Sequence, residues 1–230
     1  MKYNATVTRV VKEAPHISTI YFTISGGVFP YVAGQYISVY FEQTVKKSGK
    51  AYSLSSAPRD PELSITVKNI GEFSGLICAL KPGELIQISS PFGFFNSNDD
   101  LPIVAIIAGV GVSPIWSIIR NELDKNMNRT IGLYHTAARE DGLVFRSKVS
   151  ELFAVCPNAK THYYVTRELS LHTEHRRFSQ EADLSKEICD ASRFYVCGAE
   201  SFVQSIWQQL MEAGVNEQRI VTEIFFESNV

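Results

Sequence analysis

Residues 103–114 read IVAIIAGVGVSP, and this segment predicts the architecture of the second half of the chain. Its first part, Ile103–Ala108, is a continuous apolar run, which predicts a strand buried on both faces. Pro114 opens a helical pattern, since proline suits the first turn of a helix. Between them, Gly109 and Gly111 let the backbone approach a ligand closely, and a helix N-terminus attracts phosphate. The pattern is GxGxxP rather than GxGxxG, so it fits either a phosphate-binding loop or a tight turn in the core.

Beyond this loop, predicted strands alternate with predicted helices up to the C-terminus. This alternation is typical of a doubly wound parallel sheet. The further strands are expected at Thr130–His135, His162–Val165, Phe194–Cys197 and Ile220–Ile224, and the helices at Pro114–Leu123, Phe145–Val155 and Ser201–Ala213.

The first half of the chain instead consists of short β-branched and aromatic runs separated by turn residues, which predicts an antiparallel barrel or sandwich. One short helix is expected over Ser74–Leu80, with Ser74 as its N-cap. The polar segment Phe95–Pro102 marks a boundary, so residues 1–97 and 98–230 are predicted to form two domains. The strands are expected at Ala5–Val11, Ile17–Ile24, Tyr36–Phe41, Tyr52–Ser55, Leu63–Val67 and Leu85–Ser89.

Composition excludes several classes of protein. The 230 residues are 45% hydrophobic and 11% aromatic, which argues against disorder. The net charge of −2 lacks the basic excess of a nucleic-acid binder. Four cysteines without CxxC spacing predict no metal site. Met1–Lys12 has no apolar core of a signal peptide, and the longest apolar run is about ten residues, too short for a membrane span. A reduced, cytoplasmic protein is therefore expected.

Residues 50–56, KAYSLSS, resemble the RxYSxxS flavin motif of the ferredoxin–NADP+ reductase superfamily. Further family-like motifs follow in the family's order, at Gly34–Tyr36, Gly71–Ser74, Gly109–Pro114, Cys197–Ala199 and Glu223–Phe226. The resemblance covers essentially the whole chain. It implies an antiparallel FAD-binding β-barrel followed by an α/β domain that binds NADP(H), with NADH as a possible substitute.

The resemblance also implies roles on the flavin side. Tyr52 would stack on the isoalloxazine ring, and Ser53 would lie near its N5 edge as a catalytic residue. Lys50 replaces the family's arginine and keeps the charge for the pyrophosphate, but it loses the bidentate geometry. Weaker flavin retention is the consequence. The remaining flavin-side candidates are Ala51, Gly71, Phe73 and Ser74, and Phe225 is a further cofactor-binding candidate near the C-terminal end.

On the nicotinamide side, the resemblance places Cys197 beside the nicotinamide ring, with Glu223 as a nearby carboxylate. These two residues and Ser53 are the catalytic candidates. The nucleotide-binding candidates at the loop and at the turn after Cys197 are Gly109, Gly111, Pro114, Cys197 and Gly198. Those expected to grip the 2′-phosphate and adenine of NADPH are Thr166, Arg167, Arg176 and Phe178. The same basic segment also fits a plain solvated loop.

Together these features predict a flavoenzyme in which NADPH delivers hydride to FAD and the electrons pass to a separate acceptor protein, ferredoxin-like or an oxygenase component. The sequence has no four-cysteine run for an iron–sulfur cluster. Two alternatives stay open. One is an NAD(P)H:flavin reductase that releases free reduced flavin, which Lys50 favours. The other is a non-catalytic flavin-binding subunit of an electron-transfer complex.

Overall fold

The fold was analysed on a computed structural model, which describes residues 2–26, 29–41, 49–171 and 173–225. These residues separate into two units. The first holds the chain up to Ser97 together with Ser113–Asn121. The second holds Asn98–Val112 and the chain from Glu122 onward.

The first unit is an antiparallel six-stranded sheet with the strand order β4-β3-β6-β1-β2-β5. Its two edge strands are linked by a bridge between Leu54, directly after β4, and Ile65 of β5. The Ser55 amide donates to the Ser64 carbonyl at 2.8 Å beside this bridge. The sheet therefore closes on itself, which confirms the predicted barrel. The strands are β1 (Lys2–Ala14), β2 (Ile17–Ile24), β3 (Tyr36–Tyr40), β4 (Lys50–Ser53), β5 (Leu63–Lys68) and β6 (Leu85–Ser89).

Side-chain alternation along the strands fills the barrel. In β3, Ile37 and Val39 are fully buried, whereas Tyr36, Ser38 and Tyr40 are partly exposed. This two-residue period is the one that the sequence indicated. The largest fully buried side chains of this core are Ile20, Phe22, Ile37, Leu54, Ile65, Ile77 and Ile88.

Buried hydroxyl groups satisfy one another where the barrel closes. Thr19 and Thr66 are 3.0 Å apart at their Oγ1 atoms, Thr66 and Ser55 are 3.0 Å apart, and Ser55 and Ser64 are 2.8 Å apart. All four residues are buried. Because an unpaired buried hydroxyl destabilises the folded state, this chain of hydrogen bonds favours the register in which β2, β5 and the end of β4 lie side by side.

The helix of the first unit, α1 (Glu72–Cys78), begins earlier than the sequence indicated, and the prediction of Ser74 as its N-cap is wrong. Gly71 is the N-cap, and Ser74 lies three residues into the helix. Its Oγ accepts from the Ile70 and Gly71 amides at 3.0 and 3.1 Å and donates to the Gly71 carbonyl at 3.0 Å. Ser74 thus fixes the chain that enters α1, while the Phe73 and Ile77 side chains anchor the helix on the core.

The second unit is a parallel five-stranded sheet with the order β11-β10-β7-β8-β9, which confirms the doubly wound fold. Strand β7 pairs with β8 on one side and β10 on the other, so the strand order reverses at β7. The strands are β7 (Ile103–Ala108), β8 (Ile131–Ala137), β9 (Ala159–Val165), β10 (Arg193–Ala199) and β11 (Ile220–Phe225). Helix α2 (Val112–Lys125) follows β7, and its residues Ser113–Asn121 belong to the first unit. The other helices are α3 (Arg146–Phe153), α4 (Gln180–Asp183), α5 (Lys186–Ala191) and α6 (Glu200–Glu212).

Helices α4 and α5 were not expected, because four and six residues are too few for a helical period to show in the sequence. In the portion of the chain that the structure describes, no helix has the length and apolar character needed to cross a membrane.

Gly34 offers a test of the barrel geometry. Its φ is +95°, and a Cβ there would lie 1.7 Å from the Phe95 carbonyl oxygen. Gly83 has a similar φ of +91°, but a Cβ there would have no atom within 4 Å. A substitution at Gly83 therefore measures only the cost of placing a non-glycine residue at a positive φ. We expect Gly83→Ala to lower the free energy of unfolding by about 1 kcal/mol and Gly34→Ala by at least ~3 kcal/mol, measured by urea unfolding. Equal losses would contradict the close approach of Gly34 to Phe95.

Candidate active site

The loop after β7 packs directly on β10. Gly109–Gly111 form one 3₁₀ turn, and α2 follows at Val112. A Cβ on Gly111 would lie 2.5 Å from the Cys197 carbonyl oxygen and 3.2 Å from its Sγ, so no side chain fits there. Gly109 has a φ of +54° and open space where its Cβ would point. The loop is therefore closed against Cys197 on one side and open on the other.

Cys197 is completely buried in β10, paired with Ile107 of β7 and Glu223 of β11. Burial raises the pKa of the Cys197 thiol well above its ordinary value, and the nearby Glu223 carboxylate raises it further. The thiol is therefore protonated at neutral pH, so it is no nucleophile. What it offers is a small, neutral, polarisable group next to the loop.

The turn after Cys197 completes this end of the sheet. A Cβ on Gly198 would meet the Ala108 Cβ and the Phe202 ring at 3.0 Å, so the end of β10 lies close to the end of β7. Phe225 is half-buried and pairs with Ala199 at the end of β11. Phe226, the last residue of the family-like motif, lies outside the described residues.

His135, for which no functional role was predicted, also belongs to this site. It lies in β8 beside Ile107 of β7 and is 1% exposed. Its Nε2 is 3.0 Å from the Gly109 carbonyl oxygen. Burial lowers the pKa of His135 to about 4, so the ring is neutral at pH 7. The only sequence signal was its place near the carboxyl end of a strand.

The family-like motif KAYSLSS begins with the four residues of β4. The rings of Tyr52 and Phe73 are stacked, with centroids 6.4 Å apart and planes 15° apart. The Lys50 Nζ lies 5.8 Å from the Phe73 centroid. Ser53 is buried, and burial raises the pKa of the Tyr52 phenol. Lys50, Tyr52 and Phe73 thus lie close together, whereas the Ala51 side chain is exposed.

Gly71 and Ser74 lie at the start of α1, close to Phe73. The hydrogen bonds of the Ser74 hydroxyl to Gly71 and Ile70 use its single proton and both lone pairs. A direct phosphate contact would have to replace one of them, so the flavin-binding role of Ser74 stays a prediction.

Thr166 and Arg167 follow β9 and are held by backbone hydrogen bonds to the end of β8. The Thr166 amide donates to the Ala137 carbonyl at 3.1 Å, and the Arg167 amide donates to the Ala138 carbonyl at 2.9 Å. The Arg167 side chain is exposed. This position, outside the carboxyl ends of parallel strands, is where open α/β sheets bind ligands.

Arg176 is engaged by two carboxylates. Its guanidinium binds Asp183, which is 5% exposed at its side chain, through both terminal nitrogens, and it binds Glu174 at 2.8 Å. It also lies 4.9 Å above the Tyr164 ring. Hydrogen bonds from Arg176, the Ser179 amide and the Tyr164 hydroxyl hold the pKa of Asp183 below its ordinary value despite its burial. Arg176 therefore braces this segment, and its predicted contact with a 2′-phosphate stays a prediction.

Phe178 is 5% exposed and packs edge-on against Tyr134 and Tyr164, with centroid distances of 5.4 and 6.3 Å. Its ring belongs to the core of the second unit. The predicted adenine contact has no support from this packing, because a ring enclosed by two tyrosines presents no open face. The aromatic-after-basic pattern gave no sign that the aromatic would turn inward.

All four cysteines are free thiols. Within the described ranges, no group of three or more His, Cys, Asp and Glu residues is placed to hold a metal ion.

Two family models match the chain one after the other. The oxidoreductase FAD-binding domain matches residues 5–96, and the oxidoreductase NAD-binding domain matches residues 105–208. Together they cover most of the 230 residues. The chain thus belongs to the oxidoreductases that combine an FAD-binding domain with an NAD-binding domain.

Curated relatives include flavohemoproteins from Bacillus cereus, 26% identical over 96% of the chain, and from Bordetella pertussis, 29% identical over 95%. The chain spans about 60% of the length of these relatives.

Among solved structures, the flavohem-like FAD/NAD-binding domain of nitric oxide dioxygenase from Vibrio cholerae superposes with a TM-score of 0.87. It is 25% identical, and the match covers 97% of this chain and 98% of that one. A ferredoxin NADP+ reductase from Neisseria gonorrhoeae with bound FAD and NADP has a TM-score of 0.84 at 20% identity, over 98% and 99% of the two chains. The second likeness concerns the fold alone.

The described residues are of the kinds that both cofactors need. For FAD, β4 carries an aromatic ring at Tyr52, a cation at Lys50 and a buried hydroxyl at Ser53, and a flavin nucleotide needs such partners for its ring and its pyrophosphate. For the nicotinamide nucleotide, the loop is open beside Gly109 and leads into a 14-residue helix.

The depressed pKa of His135 predicts a pH dependence of stability. Between pH 6.5 and about 4 the unfolded chain binds a proton at His135 that the folded chain does not. The contribution of His135 to the free energy of unfolding is thus full above pH 6.5 and is lost as the pH falls towards 4. On acidification through this window, the free energy of unfolding of His135→Gln should rise relative to that of the parent by about 1 kcal/mol per pH unit, measured by urea unfolding. The exposed His162→Gln is the control, and parallel curves for parent and His135→Gln would contradict the burial effect.

Proposed function

We propose that this protein transfers hydride from NADPH to FAD and passes the electrons to a separate one-electron acceptor protein. The contact of Gly111 with Cys197 at the point where the strand order reverses carries this proposal. Ligands of open α/β sheets bind at this crevice, and the residues there are small, neutral and buried. When bound, FAD supplies the redox chemistry, since it accepts hydride and releases electrons singly.

In this proposal, Cys197 positions the nicotinamide ring. Hydride transfer needs close, dry alignment of two rings more than it needs an acid or a base. A protonated thiol meets that need, because it fills space without placing an anion beside the ring. Glu223, the register partner of Cys197, is the one carboxylate proposed at this end of the sheet. Ser53 is proposed to donate a hydrogen bond at the flavin N5 edge.

The proposed coenzyme is NADPH, bound at its 2′-phosphate chiefly by Thr166 and Arg167. Arg167 is exposed at the end of β9, and an arginine fork suits a phosphate dianion. Arg176 is proposed to contribute less, because Asp183 and Glu174 already neutralise it. No acidic side chain stands at position 166, where it would select the ribose diol of NADH.

The electron acceptor is proposed to be a ferredoxin-like protein or an oxygenase component. A haem protein or haem domain is the second candidate, favoured by the names of the relatives. These are flavohemoproteins, and the chain matches only about 60% of their length. The alternative of a reductase that releases free reduced flavin depends on Lys50, which holds a pyrophosphate less firmly than arginine does.

An anaerobic stopped-flow experiment tests the proposal. The FAD-loaded protein is mixed with NADPH or NADH, and the bleaching of flavin absorbance is followed. Fast bleaching with NADPH and slower bleaching with NADH is expected. No bleaching with either nucleotide would overturn the hydride step and favour the non-catalytic subunit. Loss of the flavin on gel filtration, together with turnover of added FMN, would favour the free-flavin reductase.

Cys197→Ala is expected to slow flavin reduction by NADPH on the order of tenfold to a hundredfold while the Kd for NADPH changes less than about threefold. The alanine removes the Sγ that contacts the loop, so the ring loses alignment while the phosphate contacts remain. Stopped-flow rates at several NADPH concentrations separate the two quantities. Cys156→Ala removes an equally buried thiol and should match the parent. Parental rates in Cys197→Ala would remove Cys197 from the mechanism.

Arg167→Ala should raise the KM for NADPH about tenfold and leave the KM for NADH unchanged, because only NADPH carries the 2′-phosphate. Arg176→Ala should instead lower the melting temperature, since it leaves the buried Asp183 without its cation. Steady-state kinetics with both nucleotides, together with thermal melts, distinguish these effects. Arg59 is exposed, so Arg59→Ala is a control that removes the same charge. A selective NADPH defect in Arg176→Ala at unchanged melting temperature would restore Arg176 as the main phosphate contact.

A further inference from the structure

We infer that His135 is a positioning residue that fixes the nucleotide-binding loop, so the affinity for the nicotinamide nucleotide depends on a side chain that does not touch it. The inference rests on the proposed function, because it assigns the Gly109–Gly111 loop to nucleotide binding. It begins from the contact between the His135 Nε2 and the Gly109 carbonyl oxygen.

The chemistry of this contact fixes the tautomer of the imidazole. A carbonyl oxygen can only accept a hydrogen bond, so the Nε2 of His135 must carry the proton. Both atoms belong to the second unit, and His135 is held on β8 by pairing with Ile107 of β7. The donor is therefore placed by the sheet and not by the loop that it restrains.

The Gly109 carbonyl accepts a second hydrogen bond, from the Val112 amide at the start of α2. Two donors from different directions fix the orientation of this carbonyl. Because the peptide bond is planar and trans, the Val110 N–H must point opposite to it, away from His135. One buried imidazole thus sets the direction of the first amide of the turn that leads into α2.

The conformation of Gly109 makes such a restraint necessary. Its φ of +54° is one of several that glycine adopts easily, and no side chain limits it. Gly111 is confined by its close approach to Cys197, but Gly109 faces open space. Without the hydrogen bond from His135, the loop would sample more conformations, and binding would have to order it at a cost in affinity.

The test compares variants that differ in the donor at this position. His135→Leu removes the N–H donor and puts an apolar side chain of similar size in its place. His135→Gln keeps an N–H donor of similar reach. In the FAD-loaded protein, we expect His135→Leu to raise the Kd for NADP+, measured by isothermal titration calorimetry, about fivefold to tenfold. His135→Gln should recover most of the parental affinity, and flavin reduction at saturating NADPH should change less than about twofold in both.

His162→Gln is the matched control, because His162 is exposed on the neighbouring strand β9 and stacks on Tyr134. Parental NADP+ affinity in His135→Leu would overturn the inference. Equal losses in the leucine and glutamine variants would also overturn it, since they would point to packing and not to the hydrogen bond. If the parent itself binds neither NADP+ nor NADH, the proposed function fails and not this inference alone.

A measurement on the parent covers the case in which His135→Leu does not fold. ¹⁵N-edited NMR of histidine-labelled protein should show an imidazole Nε2–H of His135 that exchanges slowly with water and is lost in His135→Gln. Its proton should shift on addition of NADP+, because the loop that it holds lies beside the nucleotide. A ring with the Nδ1–H tautomer, or an Nε2–H unmoved by saturating NADP+, would contradict the inference.

Discussion

A methyl group at position 111 would lie 2.5 Å from the carbonyl oxygen of Cys197, and the rest of the candidate site depends on this close approach. It is possible because β7 and β10 are hydrogen-bonded neighbours whose carboxyl ends coincide, with Ile107 opposite Cys197. Glycine is the residue that allows the loop after β7 to rest on the end of β10. The parallel sheet thus fixes the position of the loop, and the loop fixes where α2 begins.

At the carboxyl ends of the parallel strands, uncharged buried groups and arginines are found at different places. Burial keeps the Cys197 thiol protonated and the His135 ring uncharged at neutral pH. Arginines are instead found after β9, where Arg167 is exposed and Arg176 is held by carboxylates. In the proposed function, the uncharged thiol and imidazole suit the alignment of reacting rings, and the arginines suit a phosphate. Different strands of the same sheet would then hold the two parts of the nicotinamide nucleotide.

The barrel must offer polar side chains to a flavin, and its buried polar groups also need hydrogen-bond partners. Where the barrel closes, buried hydroxyl groups form hydrogen bonds with one another, as those of Ser55 and Ser64 do. Residues of α2 that belong to this unit follow the same rule, since the Ser117 hydroxyl donates to the Ser56 carbonyl at 2.5 Å and Arg120 binds Asp60 through both terminal nitrogens. Lys50, Tyr52 and Ser53 all lie on β4, so this strand carries a cationic, an aromatic and a hydroxyl side chain within four residues.

The two kinds of sheet, the order of the motifs and the glycine loop could be predicted from the sequence. IVAIIA at residues 103–108 predicted a strand buried on both faces, and KAYSLSS at residues 50–56 carried the likeness to flavin-binding barrels. These features are local, because periodicity and turn chemistry are written in neighbouring residues.

The partners of individual side chains could not be predicted from the sequence and became clear only from the folded structure. Ser74 hydrogen-bonds the chain just before α1 without being its N-cap, and Phe178 packs into the core. Arg176 binds Asp183 and Glu174, and His135 hydrogen-bonds the Gly109 carbonyl. The physical reason is that burial and hydrogen bonding depend on which residues the fold brings together. His135 and Gly109 are 26 positions apart in the chain, and only the pairing of β7 with β8 makes them neighbours.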